Sequence, residues 1–343
     1  MPTTEIQNIL TQNKKLIDEM MLKLLPESHE IHEIDLLYKM MRDYPSRPSK
    51  GLRSSLCVLT CQTFSGNIND VLTTAAALEL FQNWILIHDD IEDESELRRG
   101  KPVLQKTYGI PLSMNSGDAL HGKMWNVLYQ NRDIVGDSMS LSVIQEFLQM
   151  ISETTEGQHI ELSYIQNRKW ELNEDDYYTL CIKKTSWYTC ITPHRLGLLL
   201  SRNKDLTPLD FVNFGEKLGI AFQITDDLLN LSSTSKYGKE SFGDIYEGIR
   251  TLMLIHLLNS ASNDDRDKIL NILNKDRTKT ASDVSDVFSF MKKYNSIEYA
   301  QNKAKEFSQQ ALREFDNIFD DLPSSESKDN LRNIVNYMVL RDW

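Results

Sequence analysis

The stretch Val71-Leu-Thr-Thr-Ala-Ala-Ala-Leu-Glu-Leu-Phe81-Gln-Asn-Trp84-Ile-Leu-Ile-His-Asp89-Asp90-Ile-Glu-Asp93 runs from apolar to acidic without a turn residue. Its apolar positions follow helical rather than alternating spacing, so it reads as a core helix. Glu79, Gln82 and Asn83 interrupt it, which leaves it short of the ~18 uninterrupted apolar residues of a membrane span. The chain is therefore expected to have no membrane span. Asp89 and Asp93 stand four residues apart and so share one helix face. Like charges there weaken one another's ionisation, and they sit at the helix end where the dipole disfavours anions. A divalent cation would offset both costs.

Working outward, the same helical pattern recurs. Ile6, Ile9, Leu10, Leu16, Ile17, Met20, Met21 and Leu24 repeat at spacings of three, four and seven. Comparable runs cover 71–91, 116–130, 140–165, 175–200, 208–231, 250–260 and 285–320, with breaks at 43–50, 98–117, 167–174 and 232–250. Asn173 before Glu174, Asp175 and Asp176 predicts a capped helix start. Strand-like alternation is nearly absent, and no linker or repeat divides the sequence. The expected fold is all-α, a single large helical bundle of ten or more helices occupying one domain over 1–343.

A second acidic cluster repeats the first. Phe214, Leu218, Ile220, Ala221, Phe222 and Ile224 lead into Gln223-Ile-Thr-Asp226-Asp227-Leu-Leu-Asn230. Asp226 and Asn230 are again four apart. Oxygen ligands without a nearby Cys or His pairing favour Mg²⁺ over zinc, and magnesium is commonly shared with substrate phosphates. The pattern thus predicts a diphosphate ligand. Basic residues follow each cluster, Arg98 and Arg99 after the first and Lys239 after the second. Lys50, Arg53, Lys183 and Lys184 lie elsewhere. Paired arginines suit bidentate phosphate binding.

Composition limits the partners. With 38 Lys plus Arg against 50 Asp plus Glu, the net charge is −12, which disfavours nucleic acid. The four cysteines make no CxxC pair, and no secretory leader follows Met1, so a cytoplasmic location with free thiols is expected.

These residues resemble the trans-isoprenyl diphosphate synthases, the polyprenyl synthetase family, over roughly residues 45–255. The family's DDxxD motif is matched by Asp89-Asp90-Ile91-Glu92-Asp93, its arginine pair by Arg98 and Arg99, and its second motif by Asp226-Asp227-Leu228-Leu229-Asn230. The resemblance implies an isoprenoid-synthase bundle with a deep central cavity, working as a homodimer. It implies that Asp89, Asp93 and Asp226 hold Mg²⁺ on an allylic diphosphate contacted by Arg98, Lys184 and Lys239. Lys50, Arg53, Gln82 and Arg99 match the site for isopentenyl diphosphate. Thr185 and Gln223 match positions facing the nascent carbocation.

Departures from the family are local. The GKRLRP stretch is Ser49-Lys50-Gly51-Leu52-Arg53-Ser54 here, Asn230 replaces an aspartate, and Ile249 stands where the family has lysine. One diphosphate contact is then lost or passes to Arg250. For product length, the resemblance implies that a bulky residue five before the motif limits growth, and a second aromatic four before shortens the product to farnesyl. Trp84 with Ile85, and Phe81 one turn further back, is nearest a geranylgeranyl synthase. The residues alone leave open a farnesyl or longer-chain synthase, a class I terpene cyclase, and a non-catalytic subunit of a heteromeric synthase. Cyclases need no second diphosphate site, and a silent subunit would be expected to lose its acidic motifs.

Overall fold

The computed structural model describes residues 3–231 and 242–339. In chain order, α1 (Thr3–Leu24), α2 (His32–Ser46) and α3 (Leu52–Thr63) lead into α4 (Ile68–Glu92). A hairpin of β1 (Leu97–Arg98) and β2 (Lys101–Pro102) follows, then α5 (Leu104–Tyr108), α6 (Ile110–Gln130), α7 (Arg132–Val135) and α8 (Asp137–Gln166). Next, α9 (Glu174–Cys181) continues through a π-helical stretch, Ile182–Ile191, into α10 (Thr192–Ser201). The remainder is α11 (Asp210–Asn230), α12 (Gly243–Glu247), α13 (Leu252–Ser260), α14 (Asn263–Leu273), α15 (Ala281–Lys293), α16 (Ser296–Phe319) and α17 (Glu326–Val339). The all-α expectation holds: among the described residues, the two-residue strands of the hairpin are the sole sheet.

Contacts divide the chain into two compact units, each built from three stretches. The first comprises Met1–Gln149, Thr192–Phe211 and Ile318–Ile334. At its centre is α4, apolar on nearly every side and buried from Ala75 to Phe81, as a helix without a polar face must be. It packs against α6, α3 and α1, and each large aliphatic side chain buried this way contributes ~1.5–3 kcal/mol. Helices α3 and α10 approach closely at Gly197, where a Cβ would lie 2.5 Å from the Cys57 carbonyl oxygen. Only glycine permits that approach. The rings of Phe64, Phe211 and Phe319 meet at centroid separations of 5.6 to 6.2 Å.

The second unit comprises Met150–Ile191, Val212–Asn317 and Val335–Trp343. Here Asn173 and Asp176 form a reciprocal cap on α9, with bonds of 3.0 and 2.9 Å. That is the start predicted from the acidic run after Asn173. Thr280 and Asp283 cap α15 in the same way.

Several boundaries differ from the sequence reading. The break expected from Asp43 begins only at Arg47, because α2 runs through Pro45 in its last turn. The 98–117 break holds the hairpin, α5 and the first turns of α6. The continuous period over 285–320 is two helices, divided at Asn295, whose φ is +55°. Asparagine tolerates that left-handed geometry better than most residues, and the apolar spacing simply resumes after it. Among the described residues, no helix is long and apolar enough to cross a membrane.

Candidate active site

Helix α4 ends at the first acidic cluster. Asp90 is fully buried. Its carboxylate accepts the Tyr44 hydroxyl at 2.5 Å and the Arg98 Nε at 2.9 and 3.1 Å. Arg98 also reaches Asp89 at 3.2 Å. Burial works against the guanidinium charge, but Asp90 and then Asp89 outweigh it and hold the Arg98 pKa above its ordinary value. Burial, with Asp90 beside it, likewise pushes the Tyr44 hydroxyl up, so it stays a donor. Asp89 remains partly accessible, and the Asp93 N–H closes onto the Asp89 carbonyl at 2.8 Å, the expected one-turn relation.

The hairpin that carries Arg98 and Arg99 is fastened by Arg47, which sequence reasoning missed. Arg47 is buried, donates to the carbonyls of Arg98 and Pro102 at 2.8 Å each, and pairs with Asp43 at 2.7 Å. Its signal was only a basic residue between turn-forming ones, indistinguishable from a surface arginine.

A second missed residue is Glu79, buried in the middle of α4. It accepts the Ser54 hydroxyl at 2.8 Å. With the Gln82 amide oriented by its neighbours, Gln82 donates to Glu79 at 3.0 Å and accepts from Arg53 at 2.7 Å. Arg99 donates to the Tyr44 carbonyl at 2.8 Å. Burial lowers the Arg99 pKa, Glu79 opposes that shift, and Arg98, Arg53 and Arg47 add to it. Arg53, Gln82 and Arg99 thus gather around one carboxylate, a cationic group fit for an anion. Lys50 is exposed just before Gly51, the residue that opens α3.

In the other unit, α11 ends at the second cluster. Asp227 is buried and accepts the Tyr177 hydroxyl at 2.7 Å and the Gln223 amide at 2.8 Å. Gln223 in turn accepts from Thr185 at 2.7 Å. Burial raises the Asp227 pKa to about 7, against the two hydrogen bonds that lower it. Asp226 is the less buried neighbour. Lys184 pairs with the buried Glu161, and Gly157 leaves the space in which the α8 and Lys184 backbones pass.

The family departures resolve into structural roles. The Asn230 side chain accepts the Asp244 N–H at 3.2 Å and so anchors the start of α12. Arg250 is engaged with backbone carbonyls of its own unit. It is buried, donates to the carbonyls of Tyr164 at 2.6 Å and Lys169 at 3.1 Å, and stacks 3.8 Å over Trp170. Lys239 lies outside the described residues.

The length-determining candidates lie on α4. Phe81 is fully buried, Trp84 nearly so, and Ile85 half-buried. Among the described residues, no three His, Cys, Asp or Glu side chains converge closely enough to cage a metal ion by themselves.

A family model described as polyprenyl synthetase matches residues 34–291. The chain belongs to that family. It is 27% identical to the short chain isoprenyl diphosphate synthase of Methanothermobacter thermautotrophicus, over 98% of this chain and 99% of the relative. It is 29% identical to the geranylgeranyl diphosphate synthase of Sulfolobus acidocaldarius, over 82% and 84%. Among solved structures, geranylgeranyl pyrophosphate synthetase from Pyrococcus horikoshii superposes with a TM-score of 0.87 at 28% identity, covering all of both chains.

Proposed function

We propose that this family member is a geranylgeranyl diphosphate synthase, a short-chain trans-prenyltransferase of isoprenoid biosynthesis. It condenses isopentenyl diphosphate head to tail with an allylic diphosphate. The observation that carries this reading is the pair of acidic helix ends, each with a buried aspartate locked by a tyrosine and a less buried one beside it. Similarity along nearly the whole chain to synthases named for the twenty-carbon product supports it.

Asp89 and Asp93 at the end of α4, and Asp226 at the end of α11, are the residues that would hold Mg²⁺. Every donor is a carboxylate oxygen, the set a hard cation takes. Magnesium commonly keeps waters and shares substrate phosphate rather than sitting in an all-protein cage. When bound, it supplies charge stabilisation to the departing diphosphate. Arg98, Lys184 and Lys239 bind that diphosphate and Lys50, Arg53, Gln82 and Arg99 bind the isopentenyl one, orienting its double bond. Thr185 and Gln223 turn polar oxygens toward the allylic cation. The apolar body of α4 behind Asp89 excludes the water that would trap it.

The protein works as a homodimer in the cytoplasm as one domain over 1–343. Exposed Ile110, Leu112 and Met114 on α6, and Leu141 and Leu148 on α8, support association, since large apolar side chains exposed in number mark interaction surfaces. All four cysteines are buried free thiols, in keeping with a reducing compartment. The segments of the two units alternate along the chain, so neither is a contiguous piece.

The test is incubation of the purified protein with Mg²⁺, isopentenyl diphosphate and an allylic diphosphate. Incorporation of isopentenyl units into a linear twenty-carbon product is expected. Diphosphate release without isopentenyl consumption would instead indicate a cyclase, and no turnover by the protein alone a subunit.

A further inference from the structure

Helix α9 has eight residues, too few to hold a direction unaided, since isolated helices shorter than about 12–15 residues are marginal in water. Yet it carries Tyr177, the donor to the buried Asp227, and runs directly into the π-helical stretch with Lys184 and Thr185. Something must fix its rotation. The next residue, Tyr178, leaves the helix about 100° round from Tyr177. Its hydroxyl donates to Glu174 at 2.7 Å.

Glu174, the first residue of α9, is also where α16 takes hold. Its other carboxylate oxygen accepts the Tyr299 hydroxyl, and Lys303 pairs with it at 3.4 Å. His256 of α13 backs the Tyr299 ring, stacked at 4.1 Å and 21° from parallel, and its Nδ1 lies 3.0 Å from the Ser296 hydroxyl. Phe307, also on α16, meets the Tyr178 ring edge-on at 4.9 Å. Burial works against the Glu174 charge, but the Tyr178 and Tyr299 hydroxyls and then Lys303 outweigh it and hold its pKa below the ordinary carboxylate value. An acid in a first helical turn commonly serves its own helix end. Here Asn173 and Asp176 already supply the cap, and Glu174 is a joint that ties α9 to α16.

We propose that Glu174 is a positioning residue for the condensation, acting through α9 to keep Tyr177 on Asp227 and so to set the second acidic helix end. This rests on the prenyl synthase reading above. Tyr177 and Tyr178 are adjacent on one short helix, so a single rotation governs both hydroxyl bonds. Turning α9 to release Tyr178 from Glu174 swings Tyr177 away from Asp227. Asp227 would then draw harder on Gln223, whose side chain also accepts from Thr185. The disturbance thus reaches both Asp226, one residue away, and the polar oxygens assigned to the allylic cation.

The test is a double-mutant cycle between Glu174→Ala and Tyr177→Phe in the full-length protein. It is read in kinetics with Mg²⁺, isopentenyl diphosphate and farnesyl diphosphate, and in urea unfolding of the metal-free protein. Glu174→Ala is expected to lower kcat about tenfold and to raise the half-saturating Mg²⁺ concentration by a similar factor, the range for outer residues that orient metal ligands. KM for isopentenyl diphosphate should stay within about twofold, since a loss of positioning falls on kcat. In the Tyr177→Phe background the same substitution should cost less than about twofold more, because the bond it protects is already gone. In unfolding, the two substitutions together should cost less than the sum of each alone. A full tenfold loss in the Tyr177→Phe background, additive unfolding costs, or a folded Glu174→Ala with the parent's kcat would each overturn the proposal. If Glu174→Ala fails to fold, Tyr299→Phe, which takes one hydroxyl from Glu174, replaces it in the same cycle with the same outcomes. Failure of the parent itself to incorporate isopentenyl units would instead sink the synthase reading, and the metal-free unfolding cycle would still decide whether Glu174 acts through Tyr177.

Discussion

At the end of α4, Asp90 is buried against a guanidinium and a tyrosine hydroxyl; at the end of α11, Asp227 is buried against an amide and a tyrosine hydroxyl. The tyrosines play the same part in both places. The third partner differs, and with it the charge. At the first helix end Arg98 pairs with the buried Asp90, a cation against the carboxylate. Among the described residues the hydrogen-bond donors to Asp227 are the neutral Tyr177 and Gln223, and its pKa climbs to about 7. The buried aspartate of the first end has its cation built in, while that of the second is poised to take a proton or to respond to a cation nearby.

The sharpest way to break this comparison is Arg98→Met. It leaves Asp90 buried beside Tyr44 without its cation, and uncompensated buried charges of this kind cost about 3–5 kcal/mol. Urea unfolding should show that loss, and a change under 1 kcal/mol would mean Asp90 is not held as an ion. Next come Asp89→Asn and Asp226→Asn, expected to lower kcat on the order of a hundredfold or more, the scale of losing one electrostatic contributor at a reacting charge. Their unfolding midpoints should stay near the parent's, which separates them from the buried aspartates.

Smaller effects sharpen it further. Tyr177→Phe and Tyr44→Phe each remove one hydroxyl from a carboxylate, worth about 1–3 kcal/mol. Tyr177→Phe should cost more above pH 7, where Asp227 is ionised and has fewer other donors. The smallest signal is the pH dependence of Asp227 itself. Its folded pKa, about 7, lies above the ordinary 3.8, so the folded state binds the proton more tightly. The stabilisation is complete below the ordinary value and lost as pH rises through the folded one. For metal-free protein, the melting temperature of Asp227→Asn should therefore gain on the parent's between about pH 4 and pH 7. A gap that stays constant over that window would refute the raised pKa.

Much of this was legible in the sequence because it rests on period and on rare combinations. The long apolar run of α4 has no reading but a buried helix, and carboxylates issuing from it twice over restrict the chemistry. The cap at Asn173 is local and uses side chains within one turn, so it too could be read. What escaped depends on residues far apart in the chain. Glu79 looked like an interruption of an apolar helix, and only Ser54, Gln82 and Arg53 around it reveal an organising carboxylate. The backbone-holding roles of Arg47 and Arg250 escaped for the opposite reason, since a buried arginine that serves backbone carbonyls is spelled like any surface arginine. Tyr44 and Tyr177 lie 46 and 50 residues from the aspartates they hold. Asn295 hid because an apolar period can continue across a kink.

The hairpin between Leu97 and Pro102 pairs Leu97 with Pro102 and Arg98 with Lys101, leaving Arg99 and Gly100 as a two-residue loop, both with positive φ, +54° and +76°. That geometry suits Asn-Gly, and an arginine at the first position is held there against its backbone preference. A thermostability screen, or a design method scoring local fit, would nominate Arg99→Asn as an improvement. The same change would strip a cation from the cluster around Glu79. Stabilising this turn and preserving its anion-binding side chain are opposed aims, so a variant library built for heat tolerance should leave Arg99 fixed.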